Sequence, residues 1–466
     1  MHSAKRIALG ILLGLLGLLV VASIVLTGSQ LASVFTPTEE STQTTPATTL
    51  PPSTAATEPT ETLPTTAPTT EPTEPGISKI ATATVGATGD LLMHDNVILS
   101  GYDSETDSYD FHYIFQYLED YISQVDYAVA NLEVTLCGDD NGYAYSGYPQ
   151  FNCPDAIVDA AKDAGFDLLL TANNHSYDTR SVGFHRTQEV ILNRGLCYIG
   201  TRQTEDAANY IIQEINGISI GMICCTYNTG ADSDGKISLN GIPLTLENSR
   251  LINSFSYDDL SGFYEKLGGE IDQMRAEGAE AIVVFIHWGD EYQTTPNYYE
   301  KTIAQQLCEL GTDVIVGGHP HVIQPMETLT SESDPTHTTL CLYSMGNCVS
   351  NIRLSSTRPA ECEDGVFFTF TFAKYSDGTV VVESAELLPY YVNRYTAEDG
   401  RFLYPLIPLV GDSGDWQSAY DLTDSQLSDC IASLSRTETI IGDTLAQANA
   451  VLAQQQSEVE TALGVQ

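Results

Sequence analysis

From about residue 80 onward, short apolar runs alternate with stretches in which apolar residues recur at helical spacing. The short runs have the length of strands and lie at residues 80–88, 127–132, 166–171, 218–225, 281–286, 313–316 and 340–343. The amphipathic stretches predict helices at residues 156–164, 182–194, 263–277 and 298–310, each with a glycine close to its end. This alternation predicts an α/β sandwich in which helices cover the sheet faces.

Two pairs of apolar runs are separated by turn sequences and predict β-hairpins. Residues 210–214 and 218–225 flank Asn216-Gly217, a dipeptide that favours a tight hairpin turn. Residues 366–372 and 380–387 flank a turn at residues 375–378. The first hairpin makes its sheet mixed, and the second hairpin is a candidate for a second sheet.

The C-terminal part of the chain has its own helical pattern. Apolar side chains recur at helical spacing at Leu427, Ile431 and Leu434, and again at Ile441, Leu445, Ala448 and Leu452. One or two amphipathic helices are therefore expected after about residue 410. Their apolar faces have two interpretations, packing on the folded domain or binding a partner helix, and we favour packing because most amphipathic helices face a core.

The first 28 residues predict a membrane anchor. Lys5 and Arg6 precede an uncharged, mostly apolar run at residues 7–27, which is long enough to cross a hydrocarbon core of about 30 Å as a helix. The basic start favours a cytoplasmic N-terminus, which places the rest of the chain outside. A cleaved signal peptide is the alternative, since it begins in the same way. We expect a single-pass protein of the cell membrane with an extracytoplasmic C-terminal domain.

Residues 35–76 consist almost wholly of Thr, Pro, Glu, Ser and Ala, and the pentapeptide TEPTE occurs twice among them. Such a segment cannot bury enough apolar surface to fold, so it predicts a disordered, extended stalk. The chain then divides into a membrane anchor at residues 1–28, a linker at 29–78, a folded domain at 79–410 and a helical tail at 411–466.

The chain carries 19 Lys and Arg residues against 62 Asp and Glu residues, a formal net charge of −43. Its surface repels phosphates at long range, which excludes nucleic acid as a partner. Ten cysteines show no regular spacing, and several lie in apolar runs, as Cys224 and Cys225 do. We interpret them as buried core residues in preference to a disulfide framework.

Five predicted strands run directly into side chains that can bind metals. The clusters are Asp90 with His94, Asn131-Leu132-Glu133, Asn173-Asn174-His175 with Asp178, His287-Trp288-Gly289-Asp290, and Gly318-His319-Pro320-His321. Ligands of open α/β sheets bind outside the carboxyl ends of the strands, so these side chains are expected to converge in one pocket. Each cluster alone is a weak signal, but five of the nine histidines fall within the five clusters.

Imidazoles, carboxylates and an amide oxygen together suit Mn, Fe or Zn better than Ca or Mg. A bridging carboxylate would allow one ion or two, and a two-metal site clamps the attacking and leaving oxygens of a displacement. Such a site needs no covalent nucleophile. The sequence agrees, since it contains no GxSxG elbow, no P-loop and no GxGxxG after a strand.

Six motifs in chain order resemble those of the CapA family of capsule and poly-γ-glutamate synthesis proteins. They are Gly89-Asp90, Asn131-Leu132-Glu133, Ala172-Asn173-Asn174-His175-x-x-Asp178, His287-Trp288-Gly289, Gly318-His319-Pro320-His321 and Ser344-Met345-Gly346-Asn347. The CapA family is similar to the calcineurin-like metallophosphoesterases. The resemblance spans residues 81–392 and implies a four-layer α/β/β/α sandwich with mixed sheets.

The same resemblance implies roles for individual side chains. The metal ligands would be Asp90, Glu133, Asn174, His287, His319 and His321. His175 would be the general acid or the group that stabilises a phosphoryl or acyl oxygen, with Asp178 orienting it.

Three positions depart from the phosphoesterase pattern. The histidine expected two residues after Asp90 is His94, four residues after it. Glu133 stands where the second strand usually supplies Asp, and Asn173 stands in place of Gly. These departures leave open whether a complete two-metal site forms, and above all what His94 does.

Three functions fit the sequence. The first is a metal-dependent hydrolase or transferase acting on a phosphoester or amide-like bond during cell-surface polymer synthesis. The second is a non-catalytic subunit that assists the machinery for assembly or export of a capsular polymer or poly-γ-glutamate. The third is a stalked adhesion module, which gives no reason for so many convergent ligands.

Overall fold

The computed structural model of the protein describes residues 77–465. The predicted membrane span and nearly all of the predicted stalk lie outside these residues. Within residues 77–465, no helix is both long enough and apolar enough to cross a membrane. The domain limits given above stay predictions.

The strands of the described part alternate with helices along the chain. In chain order they are β1 (Lys79–Leu91), β2 (Tyr102–Asp103), β3 (Ser108–Tyr109), β4 (Tyr127–Leu132), β5 (Leu168–Leu170), β6 (Cys197–Ile199), β7 (Tyr210–Ile215), β8 (Ile218–Tyr227), β9 (Ser238–Leu239), β10 (Ile242–Pro243), β11 (Ser254–Phe255), β12 (Ala281–His287), β13 (Val314–Gly318), β14 (Met326–Thr330), β15 (Thr338–Leu342), β16 (Asn347–Val349), β17 (Asp364–Tyr375), β18 (Val380–Val392), β19 (Tyr395–Thr396), β20 (Phe402–Leu403) and β21 (Leu406–Pro408).

The helices of the described part are Asp95–Ser100, His112–Phe115, Glu119–Ile122, Ala156–Asp163, Arg180–Asn193, Leu246–Arg250, Leu260–Ala276, Tyr298–Glu309, Ser413–Ala419, Asp424–Ile441 and Thr444–Leu463, with a 3₁₀ turn at Ala360–Glu363. Local sequence explains where one of these helices begins. Asn297 and Glu300 form a capping box that starts the helix Tyr298–Glu309, because each side chain accepts a hydrogen bond from the other residue's backbone N–H.

Two large mixed sheets form the centre of the fold. The first has the strand order β21-β18-β17-β1-β4-β5-β6, with β16 also beside β1. Its strands β1, β4, β5 and β6 are parallel to one another, whereas β17 runs antiparallel to β1. The second has the order β11-β8-β12-β13-β15-β14, with β7 antiparallel to β8. The predicted mixed α/β fold is therefore confirmed.

Alternating side chains show how the two sheets stack. Tyr127 and Val129 of β4 share one buried cluster with residues of the second sheet, such as Val283 and Phe285 of β12. The intervening Ala128 and Ala130 face helices in another cluster, which includes Ile157 and Ile191 as further members. On the second sheet, the outward side chains of β12 pack against the helices Leu260–Ala276 and Tyr298–Glu309. Helices thus cover the outer faces of two sheets that pack against each other.

Both predicted hairpins form, and they lie in different sheets. Asn216 and Gly217 have φ angles of +49° and +83° at the turn between β7 and β8, as the dipeptide predicts. The second hairpin, β17 with β18, joins the first sheet beside β1. All ten cysteines are free thiols, and all are buried except Cys197.

The C-terminal helices pack on the sheets, in agreement with the favoured interpretation of their apolar faces. Ile441, Ala448 and Leu452 belong to the cluster between the sheets. The side chain of Asn449 both accepts from and donates to the backbone of Ala385 in β18, at 2.9 and 2.8 Å. Thr444 accepts a hydrogen bond from the backbone of β14 at 3.3 Å. The helix Thr444–Leu463 therefore bridges strands from both sheets.

We expect Leu452→Ala to lower the free energy of unfolding by about 2–5 kcal/mol, because it removes a fully buried side chain and leaves a cavity. Val451→Ala is the matched control, since the neighbouring Val451 is 38% exposed. Urea unfolding of the full chain measures both variants. Equal, small losses for the two variants would contradict the packing of this helix on the domain.

Candidate metal centre

The six predicted ligands lie at the carboxyl ends of strands from both sheets. Asp90 is the penultimate residue of β1, and Glu133 directly follows β4. His287 is the last residue of β12 in the second sheet. Asn174 follows β5, and the segment His319 to His321 follows β13. All six side chains are buried, so the fold collects them in its interior.

Close backbone packing brings the strand ends together. A Cβ atom at Gly89 would overlap the carbonyl oxygen of Gly346, so only glycine allows β1 to approach the loop before β16 this closely. His319 and His321 have φ angles of +97° and +56°, which L-residues seldom adopt. Such strain persists only where surrounding structure imposes it, and it often accompanies functional sites.

Five of the six predicted ligands form two groups that can hold metal ions. One group is Glu133 with His287 and His319, and the other is Glu133 with Asp90 and His321. Within each group, one donor atom from every side chain lies within 4.8 Å of the others. Glu133 belongs to both groups, so both would use its carboxylate if each held an ion.

Glu133 has no hydrogen-bond partner among the described residues. Both of its carboxylate oxygens are buried and unpaired, with the nearest imidazole nitrogens at 3.5 Å on His287 and 3.9 Å on His321. Burial raises the pKa of Glu133 well above its ordinary value, and the neighbouring charge of Asp90 adds to the rise. An unpaired carboxylate is costly inside a protein, so these two oxygens fit a site for a cation.

His287 and His319 also have the properties expected of metal ligands. Nδ1 of His319 is buried and unpaired. Burial lowers the pKa of His287 to about 3 and holds the pKa of His319 well below its ordinary value, with the charge of His287 contributing to the second shift. Both rings are therefore neutral near pH 7, and a neutral imidazole is the form that binds metals.

Asp90 and His321 are held in place by amide side chains. Nδ2 of Asn131 donates to Oδ1 of Asp90 at 2.7 Å. Nδ1 of His321 lies 3.1 Å from Oδ2 of Asp90 and 3.0 Å from Oδ1 of Asn347, so it faces two acceptors. Nδ1 is then the protonated nitrogen, and Nε2 is left as the donor atom for a metal. Burial would raise the pKa of Asp90, but the hydrogen bond and charge of His321 outweigh it and lower the pKa.

Asn174, the sixth predicted ligand, stands beside the first group. Its Oδ1 atom lies 3.0 Å from Nε2 of His287. An amide oxygen in this position can join the carboxylate and imidazole donors of that group. The structure therefore brings all six predicted ligands together, while their individual roles stay predictions.

His175 and Asp178 form a buried pair at the edge of the centre. Nδ1 of His175 lies 2.8 Å from Oδ2 of Asp178, which also accepts a hydrogen bond from the backbone of Phe151 at 2.7 Å. The ring of Phe151 packs edge-on against His175, with centroids 4.7 Å apart. This arrangement fixes the imidazole plane and leaves Nε2 as the nitrogen available for proton transfer.

His94 lies outside both metal-binding groups. Its Nδ1 atom accepts a hydrogen bond from the backbone N–H of Asn351 at 3.3 Å, and its ring packs on Phe151. Burial lowers the pKa of His94 to about 4. The four-residue spacing from Asp90 thus gives this histidine a backbone contact near the site.

Two further residues lie beside the predicted ligands, Trp288 and Asn240. Trp288 is fully buried and donates to the carbonyl of Tyr343 at 2.9 Å, so it is part of the core. Asn240 contacts both Asn174 and His175, and sequence reasoning missed it. The dipeptide Asn240-Gly241 signals a hairpin turn, but no local pattern shows that the turn reaches the site.

Comparisons with known proteins agree with the motif pattern. The family model described as "Bacterial capsule synthesis protein PGA_cap" matches residues 84–352. The protein "Capsule biosynthesis protein CapA" of Bacillus anthracis is 27% identical over 277 residues, which cover 57% of this chain and 59% of that protein. "PGA biosynthesis protein CapA" of Bacillus subtilis (strain 168) is 28% identical over 247 residues, covering 53% of this chain and 58% of that protein.

The chain therefore spans somewhat less than two thirds of the length of these curated relatives. The family match extends over more than half of the 466 residues and includes all six predicted ligands. The predicted resemblance to the CapA family is confirmed, and the chain belongs to the bacterial capsule synthesis family PGA_cap.

Proposed function

We propose that this protein acts in capsule or poly-γ-glutamate biosynthesis at the cell surface and carries a metal-dependent hydrolase site of the metallophosphoesterase type. The observation that carries the proposal is the buried, unpaired carboxylate of Glu133, shared by two groups of metal-binding side chains. The names of the two relatives support the biological process. The packing of two mixed sheets between helices supports the metallophosphoesterase type.

The residues of the centre suit hydrolysis of a phosphoester or an amide-like bond. One or two bound Mn, Fe or Zn ions would polarise the substrate and supply hydroxide near neutral pH. Asp90, Glu133 and His321 would hold one ion, and Glu133 would share the other with His287 and His319. Asn174 would add its amide oxygen to the second group.

Proton transfer would fall to His175. Its Nδ1 atom is engaged by Asp178, and its Nε2 atom faces the amide of Asn240 beside Asn174, so the protonated ring would donate a proton from Nε2 to a leaving oxygen or nitrogen. Asp178 would hold the ring in this orientation and stabilise its protonated form.

A second candidate is a non-catalytic subunit for assembly or export of the polymer, built on the same fold. The observation that favours it is His94, which bonds to backbone and stays outside the metal-binding groups. A phosphoesterase acting on another envelope substrate would share the centre and differ in the ligand. In each case the proposal includes the anchor at residues 1–28 and an extracytoplasmic domain, for which the sequence pattern is the support.

Metal content tests the centre directly. We expect the full chain, purified without chelator, to contain one or two equivalents of Mn, Fe or Zn by elemental analysis, and the double variant His319→Ala/His321→Ala to contain none. His112→Ala is the control, because His112 pairs with the surface carboxylates of Asp110 and Asp163 and belongs to neither metal-binding group. Wild-type protein that stays metal-free after incubation with these ions would exclude the metalloenzyme and leave the assembly subunit.

A stability measurement tests Glu133 separately. At pH 8 in chelator, we expect Glu133→Gln to raise the free energy of unfolding by about 1 kcal/mol or more, because without a cation Glu133 must either stay charged and unpaired in the interior or take up a proton on folding. With Mn²⁺ at about 100 times its Kd, wild type should gain about 2.7 kcal/mol, and the variant should gain little.

Glu300→Gln is the matched control for this measurement. Glu300 is also buried, with a pKa raised by burial to about 7, but it caps a helix and belongs to neither metal-binding group. Its variant should keep the full Mn²⁺ response. An unchanged response in Glu133→Gln would contradict the shared-ligand role of Glu133.

Hydrolysis is tested with aryl phosphoesters and γ-glutamyl peptides on the metal-loaded full chain. We expect His175→Asn to lower kcat by about 10²- to 10⁴-fold while metal content stays at the wild-type value, because proton transfer is lost and the ligands remain. Asp178→Asn should lower kcat in the same direction. Activity that is indifferent to both substitutions would show that His175 does not transfer the proton.

A further inference from the structure

A small β-ribbon reaches the metal centre from the segment that follows β8. Its strands β9 and β10 pair through Leu239 and Ile242, and Asn240-Gly241 forms the two-residue turn between them. Asn240 and Gly241 have φ angles of +47° and +72°, the combination of a tight hairpin turn. The turn presents the side chain of Asn240 to the centre.

The amide of Asn240 contacts two side chains with different predicted roles. Nδ2 of Asn174 donates to Oδ1 of Asn240 at 3.3 Å. Nδ2 of Asn240 lies 3.4 Å from Nε2 of His175, the ring nitrogen that Asp178 leaves available. One amide group therefore links a predicted metal ligand to the predicted proton donor.

We propose that Asn240 is a positioning residue of this centre, which orients Asn174 toward the metal and His175 toward the reacting group. The inference rests on the proposed function. Asn174 can turn either its oxygen or its nitrogen toward His287, and only the first orientation offers a metal ligand. By accepting from the nitrogen of Asn174, Asn240 selects the orientation seen here, with the oxygen of Asn174 3.0 Å from His287.

The second contact of Asn240, with His175, positions the imidazole ring. With Nδ1–H directed at Asp178, Nε2 of the neutral ring can accept a hydrogen bond from Nδ2 of Asn240, so both edges of the imidazole are held until Nε2 takes up a proton. Partners of this kind usually matter about 10- to 100-fold for metal affinity or activity, although they touch neither metal nor substrate. The contact with Asn174 should act on affinity, and the contact with His175 should act on turnover.

Asparagine is also a preferred residue in this type of turn, so the test must keep the turn while changing the amide. Asn240→Gly does so, because glycine adopts a positive φ without strain. Asn240→Asp keeps an oxygen that accepts from Asn174 but loses the N–H that faces His175. Asn228→Ala is the matched control, since Asn228 lies in the same segment and its side chain bonds to Gly230 there and to Ser254 of β11.

The experiment is a Mn²⁺ titration of the chelator-treated full chain, followed by electron paramagnetic resonance of the unbound ion. We expect Asn240→Gly to weaken Mn²⁺ binding by about tenfold, Asn240→Asp to bind Mn²⁺ at least as tightly as wild type because it keeps the accepting oxygen and adds a negative charge, and Asn228→Ala to bind as wild type does. In the hydrolysis assay, Asn240→Asp should lower kcat and leave KM unchanged. Circular dichroism and urea midpoints confirm that each variant is folded.

Two results would overturn the inference. One is wild-type Mn²⁺ affinity in Asn240→Gly, and the other is an equal loss of affinity in Asn228→Ala, which would assign the effect to the ribbon as a whole. Wild-type protein that binds none of Mn²⁺, Fe²⁺ and Zn²⁺ would refute the proposed function together with the inference. Wild-type binding combined with an unaffected Asn240→Gly would refute the inference alone.

Discussion

The carboxylate of Glu133 is the group on which the centre depends. Its two oxygens are buried without a hydrogen bond, and two sets of side chains converge on it from both sheets. Taking a carboxylate out of water costs several kcal/mol unless a partner is supplied. The fold tolerates this cost in its interior, where an apolar side chain or a paired polar one would make the protein more stable. A bound cation is the partner that gives this arrangement a physical reason.

Several contacts hold the surrounding segments in place around that carboxylate. Gly89 lets β1 approach the loop at Gly346, and Asn347 from that loop faces His321. The C-terminal helices support the same region, because Arg436 forms two hydrogen bonds with Asp364 at 2.7 and 2.5 Å at the start of β17. A segment far along the chain from the ligands thus helps to position them, so a change in the tail can act on the centre.

The sequence predicted the parts of this molecule that local chemistry determines. Apolar runs identified the central strands, and the 127–132 prediction coincides with β4, because buried strands are apolar along their whole length. The ligand clusters were visible because each lies at the end of its strand or shortly after it in the chain. The ends of strands were less predictable. The first strand was predicted at residues 80–88, but β1 continues through residue 91, because Asp90 also pairs with the neighbouring strands on both sides.

Asn240 and the backbone contact of His94 could not be predicted in this way. Both depend on which loops come into contact after the sheets have stacked, and no local pattern in the sequence predicts those contacts. The spacing of His94 from Asp90 was recognised as a departure, but its consequence required the position of Asn351. Positioning residues in general act through contacts between distant segments, so they are the part of a site that motifs describe least well.

The net charge of −43 bears on how such a centre would meet a polymer. Like charges repel, so an anionic chain gains nothing from spreading over this surface. Bound cations are a local exception, because they would be the strongest positive charges in the region and lie at the carboxyl ends of the strands. Attraction would then be confined to the few atoms of the chain that reach the ions. Under the proposed function, such a protein would engage one bond of a polyanion at a time, which would suit processing a polymer better than storing or coating it.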